Sequence, residues 1–233
     1  MNIIDIVVIV LIGLYFLNGL YRGFIPSLLN IGAFLLSWLG AFFGYGGLAQ
    51  KIVNNEMVSH LQFYIEGAEK VNDFEAARKV VSTLSETDID SIIANAKLPN
   101  FISNVIESNM KNVAFADQGL TTVGEYFNTS IYYLVINIIS FIILFVILRC
   151  IFMLLTNATS YAVDFPQLKL FDYTAGGIVS LLRGFFAMHV VFMIVPFILL
   201  FMPTFLVDLV NSATATSIFY SGNILLPLIR GII

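Results

Sequence analysis

The sequence predicts an all-α fold, a polytopic membrane helix bundle of about four transmembrane helices with an extramembrane helical insert. Of the 233 residues, 59% are hydrophobic and only 11% are charged, whereas an ordinary soluble domain has about 25% charged residues. Several apolar runs are long enough to cross about 30 Å of hydrocarbon. One segment, residues 46–127, instead alternates charged and apolar residues at helical spacing.

The first two spans form a transmembrane hairpin over residues 1–45. Residues 3–21 and 24–45 are the apolar runs, and a short link at Arg22-Gly23 joins them. No cleavable signal peptide is expected, because Asp5 stands where a basic region would precede the first run. A stripe of small residues on the second run is typical of close helix packing and comprises Gly32, Gly40 and Gly44.

The insert, residues 46–127, contains no run long enough to span a bilayer. Two capping boxes are predicted, with Asn72 three residues before Glu75 and Thr87 three residues before Asp90. A Pro99-Asn100 break separates two amphipathic segments. We therefore expect a helical body of about 80 residues outside the bilayer, lying on itself or against the membrane.

Residues 128–203 contain the other two spans. The third is predicted at 130–155 and the fourth at 174–202, with a polar link at 156–173. The beginning of the fourth run has a small residue at every fourth position, which predicts a packing ridge formed by Gly176, Ser180 and Gly184.

The tail, residues 204–233, is apolar but interrupted by polar residues and Pro227. Interfacial helices are the first prediction for it. A re-entrant segment, or a fifth span around 213–233, is the alternative.

The basic residues near the span ends predict the orientation. Arg22 lies in the first link, and Arg149 and Lys169 flank or occupy the second. Because short cytoplasmic links carry an excess of Lys and Arg, both links are expected in the cytoplasm. The N-terminus, the insert and the tail then lie on the extracytoplasmic side.

Four charged residues in or near the spans are the candidate site residues: Asp5, Arg22, Asp172 and Arg183. An isolated charge in lipid costs about 2.5–3.5 kcal/mol or more, so each needs a partner or a place at headgroup depth. One hypothesis is that Arg22 and Arg183 meet on the cytoplasmic side with Asp172 as counter-ion. The other is that the charged residues only anchor the helices at the interface.

The sequence predicts no catalytic residues, no metal site and no cofactor. His60 and His189 have no second ligand at metal-binding spacing, and a packing role is favoured for His189 over a proton relay. Cys150 is the single cysteine, interpreted as a small buried hydrophobe. A net charge of −4 without a basic stripe argues against a nucleic-acid partner.

Short motifs in the four spans resemble the colicin V production protein family (CvpA). They are Asn2-Ile-Ile-Asp5, Gly19 followed by Arg22-Gly23-Phe24, and Phe171-Asp172-Tyr-Thr-Ala-Gly176 followed by Arg183-Gly184. The resemblance covers the spans but not residues 46–127, and the tail only loosely.

The resemblance implies a multi-pass protein of the bacterial inner (cytoplasmic) membrane, linked to bacteriocin production, a form of toxin biosynthesis, or to envelope physiology. It implies no enzymatic reaction. Besides the lipid bilayer, the expected partner is another membrane protein or a second copy of the chain. A small oligomeric channel or transporter, with Asp172, Arg183 and His189 near its path, is the alternative.

Overall fold

The computed structural model describes residues 2–60, 67–159 and 169–233. Short 3₁₀ and π-helical turns separate the α-helices of the described ranges. The α-helices are α1 (Ile3–Arg22), α2 (Phe24–Val53), α3 (Glu56–Ser59), α4 (Phe74–Arg78), α5 (Glu86–Ala96), α6 (Asn100–Lys111), α7 (Val123–Thr159), α8 (Lys169–Val191), α9 (Val195–Phe201), α10 (Thr204–Asn211) and α11 (Thr214–Thr216).

Within the described ranges, four helical segments are long and apolar enough to cross a membrane, which confirms the predicted fold class. They are Ile3–Arg22, Phe24–Val53, Val123–Thr156 and Phe171–Phe201, and each contains an 18-residue stretch, with mean hydropathies of 2.4, 1.6, 3.0 and 2.4 respectively. Large apolar side chains are exposed along them, as expected for helices that face lipid rather than water. These include Val7, Val10, Leu14, Leu17, Leu36, Ile143, Ile147, Leu154, Ile178 and Leu182.

The chain divides into two compact units. Unit 1 comprises Met1–Gly44 and Phe141–Leu225, and therefore contains α1, α8 and parts of α2 and α7. Within it, α1 and α8 pack closely along most of their lengths. Ser180 on α8 and Ser27 on α2 are both buried, and Ser180 Oγ donates a hydrogen bond to Ser27 Oγ at 3.2 Å.

Unit 2 comprises Tyr45–Ser140 and Leu226–Ile233. Its core includes fully buried aromatic and aliphatic side chains from α6 and the first turns of α7, namely Ile102, Ile106, Tyr126, Phe127 and Tyr132. The C-terminal segment belongs to this core because Asn109 Nδ2 donates to Gly231 O at 3.1 Å and Asn137 Nδ2 donates to Arg230 O at 2.7 Å.

Helices α5 and α6 of unit 2 form an antiparallel hairpin around Pro99. The apolar faces of both helices are buried. At the exposed edge, Lys111 Nζ on α6 lies 2.9 Å from Asp90 Oδ1 on α5 and 2.7 Å from Glu107 Oε1. These hydrogen bonds raise the pKa of Lys111.

Both predicted capping boxes are wrong in position. Asp73, and not Asn72, caps α4 by accepting hydrogen bonds from the Glu75 and Ala76 N–H groups. Helix α5 is capped by Ser85, two residues before the predicted Thr87. Asn72 has φ of 58°, outside the extended region that an N-cap residue adopts.

The long helices exceed the predicted spans. Helix α2 continues past residue 45 to Val53, and α7 begins at Val123 rather than at 130. Helix α7 ends at Thr159 and α8 begins at Lys169, so both helices extend into the predicted polar link 156–173. The rest of that link, residues 160–168, lies outside the described residues. In unit 2, α7 starts early because its first residues are core residues, with Val123 and Tyr126 fully buried.

The fourth apolar run is not one continuous α-helix. A 3₁₀ turn at Phe192–Ile194 separates α8 from α9. Pro196 explains the break, since proline has no N–H to donate and its ring clashes with the carbonyl four residues earlier.

The tail forms short helices. The longest in residues 204–233 is α10 with eight residues, far below the roughly 20 residues that a span needs. This residue range therefore contains no helical fifth span.

The interpretation of Cys150 as a buried residue is wrong, because its side chain is exposed on α7. Position 150 lies on the part of α7 that a lipid bilayer would cover, where exposure leaves an apolar side chain among acyl chains.

Candidate functional site

The closest helix contact in unit 1 is made by small residues of α1 and α8. A Cβ added at Gly176 would overlap the backbone of Gly23 and lie 2.6 Å from Gly19 O. A Cβ at Gly19 would lie 2.5 Å from Ser180 Cβ. Further along α8, a Cβ at Gly184 would lie 2.9 Å from Tyr15 Cβ. Because these glycines have no side chain, the two backbones touch, and Tyr15 of α1 packs against Gly184 of α8.

The glycines of α2 meet α7 in unit 1. A Cβ at Gly40 would lie 2.6 Å from Leu148 Cδ1, and one at Gly44 would lie 2.5 Å from Leu144 Cδ2. Gly32 differs, since nothing lies within 4 Å of its added Cβ. Of this stripe, only Gly40 and Gly44 therefore pack against leucine side chains of α7.

Gly23 is the whole connection between α1 and α2, and it brings Asp172 to the beginning of α2. The backbone of Gly23 has φ of 84° and ψ of 179°, a conformation that only glycine adopts readily. The Phe24 N–H donates to Asp172 Oδ1 at 3.0 Å. The carboxylate of α8 thus caps the N-terminus of α2, where the helix dipole favours a negative charge.

Asp5 binds backbone groups at the other end of α1. Its Oδ2 accepts a hydrogen bond from Asn2 N at 2.9 Å, which completes a capping box, and its Oδ1 accepts one from Ala215 N at 2.8 Å. Asn2 also donates to the Leu209 carbonyl and to Ser212 Oγ. The start of α1 therefore holds the tail in place.

A charged cavity lies in unit 1, between α1, α2, α7 and α8. Its volume is about 300 Å³. Three arginines contribute to its wall, and no carboxylate does within the ranges that the structure describes. The lining residues are Leu11, Leu14, Tyr15, Asn18, Arg22, Asn30, Arg149, Met153 and Arg183.

Two of these arginines are incompletely satisfied within the described part of the protein. Arg149 Nη2 donates to Asn30 Oδ1 at a long 3.4 Å, while its buried Nη1 has no hydrogen-bond partner. Arg183 is only 7% exposed, and its Cζ lies 5.0 Å from the centroid of the Tyr15 ring. Its buried Nε has no hydrogen-bond partner either. Each guanidinium thus holds donor capacity that the described residues do not use.

Arg183 lies inside the fourth apolar segment and not at its end. The apolar segment begins at Phe171, and at 1.5 Å per residue Arg183 follows about 18 Å along the helix axis. A charge that lies in hydrocarbon costs about 2.5–3.5 kcal/mol or more unless it is compensated. The ring of Tyr15 offsets part of this cost through a cation–π contact of about 0.5–2 kcal/mol. The described residues show no partner for the remainder.

The four candidate charged residues thus form two groups, arginines that line the cavity and aspartates that bind backbone N–H groups. Arg22 and Arg183 line the same cavity. Asp172 and Arg183 form no ion pair in the described part of the chain, because the Asp172 carboxylate is directed to the Phe24 N–H. Asp5 is at the opposite end of α1 and binds the tail.

The sequence alone did not single out Tyr15 or Asn30 as cavity residues. Asn30 carried a signal, since a polar amide inside an apolar run is costly without partners. Tyr15 carried none, because its role depends on the close approach of α1 to Gly184.

His189 is buried and packs in an aromatic cluster. Its Nδ1 lies 3.1 Å from Phe185 O, and its ring centroid lies 5.0 Å from that of Phe185 and 5.3 Å from that of Phe219. His60 is exposed. No group of three or more potential metal ligands occurs in the described ranges.

Four apolar helices, their close small-residue contacts and a charged cavity among them define a multi-pass membrane helix bundle. A family model described as Colicin V production protein matches residues 4–85 and 113–222. The chain therefore belongs to the colicin V production protein family. Comparison with curated proteins and with solved structures returns no match.

The family match corrects the expected extent of the resemblance. Residues 46–85 and 113–127 lie inside the match, so the likeness to the family is not confined to the spans. The unmatched internal segment is 86–112, which contains α5 and α6. Most of the tail, to residue 222, is matched as well. The α5–α6 hairpin is thus the internal part of the chain that the family model does not cover.

Proposed function

We propose that the protein is a non-enzymatic component of the bacterial cytoplasmic membrane that serves bacteriocin production or envelope physiology through contacts with other proteins. The family match over residues 4–85 and 113–222 is the observation that carries the proposal. The helical body of unit 2 supports it, since the α5–α6 hairpin adds a polar surface outside the four apolar segments. Exposed side chains on this surface include Glu86 and Asn95.

The proposed orientation places both span links in the cytoplasm and the α5–α6 hairpin outside. Arg22 follows the first span, and short basic links remain in the cytoplasm. Because Cys150 is the only cysteine, it can be replaced by serine to give a background without thiols. In that background, Asn95→Cys should react with a membrane-impermeant maleimide on intact cells, and Phe171→Cys should react only after lysis. The reverse pattern would invert the orientation.

The functional test combines a deletion strain with crosslinking. Deletion of the gene in a bacteriocin-producing strain should lower the secreted toxin or increase envelope leakage, and the full chain should restore both. A photoreactive residue at Asn95 should form a covalent protein adduct in cells that produce the toxin, whereas the same residue at the lipid-facing Leu154 should not. If deletion changes neither toxin yield nor envelope leakage, the proposal fails.

A small oligomeric channel or transporter is the second candidate. The observation that favours it is the polar cavity within unit 1, to which Asn18 and Asn30 contribute amides beside the arginines. Ion flux into liposomes that contain only the purified chain separates the two candidates. Ion conductance or exchange that requires Arg183 would favour the channel over the contact protein. The absence of ion flux at every pH tested would rule out the channel.

A further inference from the structure

We propose that the arginine cavity of unit 1 binds a phosphate-bearing anion, and that its source is the headgroup of an acidic phospholipid. This inference goes beyond the proposed function and does not depend on it. Its starting point is the wall of the cavity, which presents Arg22, Arg149 and Arg183 without a lining carboxylate among the described residues.

The charge balance of the cavity calls for an anion. Guanidinium groups that share a cavity repel one another, and removal of this repulsion requires a negative charge close to all of them. The two carboxylates at the ends of α1 are engaged elsewhere, Asp172 with Phe24 N and Asp5 with Asn2 and Ala215. Among the described residues, no carboxylate forms an ion pair with Arg149 or Arg183. The charge that compensates these two arginines must therefore come from a ligand or from a group outside the described residues.

The chemistry of the guanidinium groups that line the cavity indicates which anion fits. Arg149 Nη1 and Arg183 Nε lie on buried parts of guanidiniums that line the cavity, and neither has a partner. A guanidinium presents a planar set of donors that matches the tetrahedral oxygens of phosphate and can donate to two of them at once. Because the side chain of Arg183 is more than nine-tenths buried and rests on Tyr15, it is held in place before a ligand arrives.

The apolar part of the wall favours a lipid over a free ion. Leu14 is 56% exposed and Met153 is 42% exposed, so the cavity is bordered by apolar side chains that would face acyl chains. A phospholipid can place its phosphate among the arginines and its chains along these residues. Basic pockets between transmembrane helices bind acidic lipid headgroups in this manner.

The test uses the full-length chain in nanodiscs and native mass spectrometry. Discs with equal amounts of phosphatidylglycerol and phosphatidylcholine should release the wild-type protein with phosphatidylglycerol retained at least about tenfold over phosphatidylcholine. Arg183→Gln and Arg149→Gln should each reduce this preference about tenfold, since each removes a charge-assisted donor. The matched control is Arg78→Gln, since Arg78 stacks over Phe74 on α4 and does not line the cavity.

A second arm distinguishes the source of the phosphate. Inorganic phosphate is added to the wild type in pure phosphatidylcholine discs, against chloride at equal ionic strength. If inorganic phosphate raises the Tm of the wild type and Arg183→Gln abolishes that rise, the anion site is supported and its ligand is a soluble ion. A rise with phosphatidylglycerol alone would assign it to the lipid.

Two results would overturn the proposal. One is equal retention of both lipids by the wild type together with no response to inorganic phosphate. The other is a loss of preference in Arg78→Gln as large as in Arg183→Gln, which would indicate general charge attraction. Should Arg183→Gln fail to fold, Arg183→Lys keeps the charge but not the planar donors, and a lower preference for phosphatidylglycerol is expected. The wild-type lipid preference remains decisive in every case.

Discussion

Replacement of Gly23 by alanine tests how α1, α2 and α8 are joined. With φ of 84° and ψ of 179°, an L-residue at position 23 pays about 1–3 kcal/mol of backbone strain. The added Cβ would also overlap Asp172 Oδ2, so the carboxylate must move away from the Phe24 N–H. Loss of that charge-assisted hydrogen bond costs about 1.5–3 kcal/mol. Together these predict a destabilisation of about 2.5–6 kcal/mol, against a typical total of about 5–15 kcal/mol.

The assay is unfolding of the purified chain in mixed micelles by increasing SDS, followed by far-UV circular dichroism and by the fluorescence of the single tryptophan, Trp38 on α2. Gly13→Ala is the matched control, because Gly13 is also on α1 and its added Cβ meets nothing within 4 Å. That control should be neutral or stabilising by up to about 1 kcal/mol, the helix propensity gain of alanine over glycine.

A double-mutant cycle isolates the contact between the two residues. With Asp172→Ala present, the overlap disappears and Gly23→Ala should cost only the backbone strain. The destabilisation of the double mutant should therefore be smaller than the sum of the two single-mutant values by about 1.5–3 kcal/mol. The reasoning is refuted if Gly23→Ala costs no more than Gly13→Ala. Additive losses would refute the role of Asp172 alone.

Three further substitutions test other contacts of the structure. Asp5→Asn should make the Ala215 amide exchange with solvent several-fold faster in hydrogen-exchange measurements, since the amide oxygen is a weaker acceptor than the carboxylate that now holds it. Gly176→Ala should destabilise the fold by about 1–3 kcal/mol in the same SDS titration, because the added Cβ would overlap the backbone of Gly19 and Gly23. Hydrogen bonds from Ser85 lower the pKa of Asp88, so its stabilisation of α5 is present above the unfolded pKa of about 3.9 and is lost as pH falls through the lower folded value. Asp88→Asn should abolish that acid-induced loss in circular dichroism.

The fold class could be predicted because it depends on composition and run length. Each of the four spans shows as an apolar run, and lipid exposure makes that signal continuous rather than periodic. Helix ends were harder. Asn72, Asp73, Ser85 and Thr87 are all plausible N-caps by residue type, and only the backbone conformation decides which of them caps a helix.

The candidate site was predicted in part. Sequence reasoning selected Arg22 and Arg183, since charges in apolar runs need compensation, and the structure places both in one cavity. It could not find the partner of Asp172, because the Phe24 N–H is exposed to that carboxylate only by the turn at Gly23. A charged residue in a sequence suggests an oppositely charged residue as its partner. A backbone N–H group cannot be predicted as a partner in this way, because every residue except proline has one.

These contacts change what the sequence motifs of the chain mean physically. Asp5 and Asp172 bind backbone amides, and Gly23 and Gly176 permit backbone contact. All four therefore act in assembly of the bundle, and their replacement should reduce the amount of folded protein before it reveals any activity. Arg149 and Arg183 differ, because each retains a buried donor that the described fold does not use. Function is thus better tested at Arg149 and Arg183 than at Asp5, Gly23, Asp172 or Gly176.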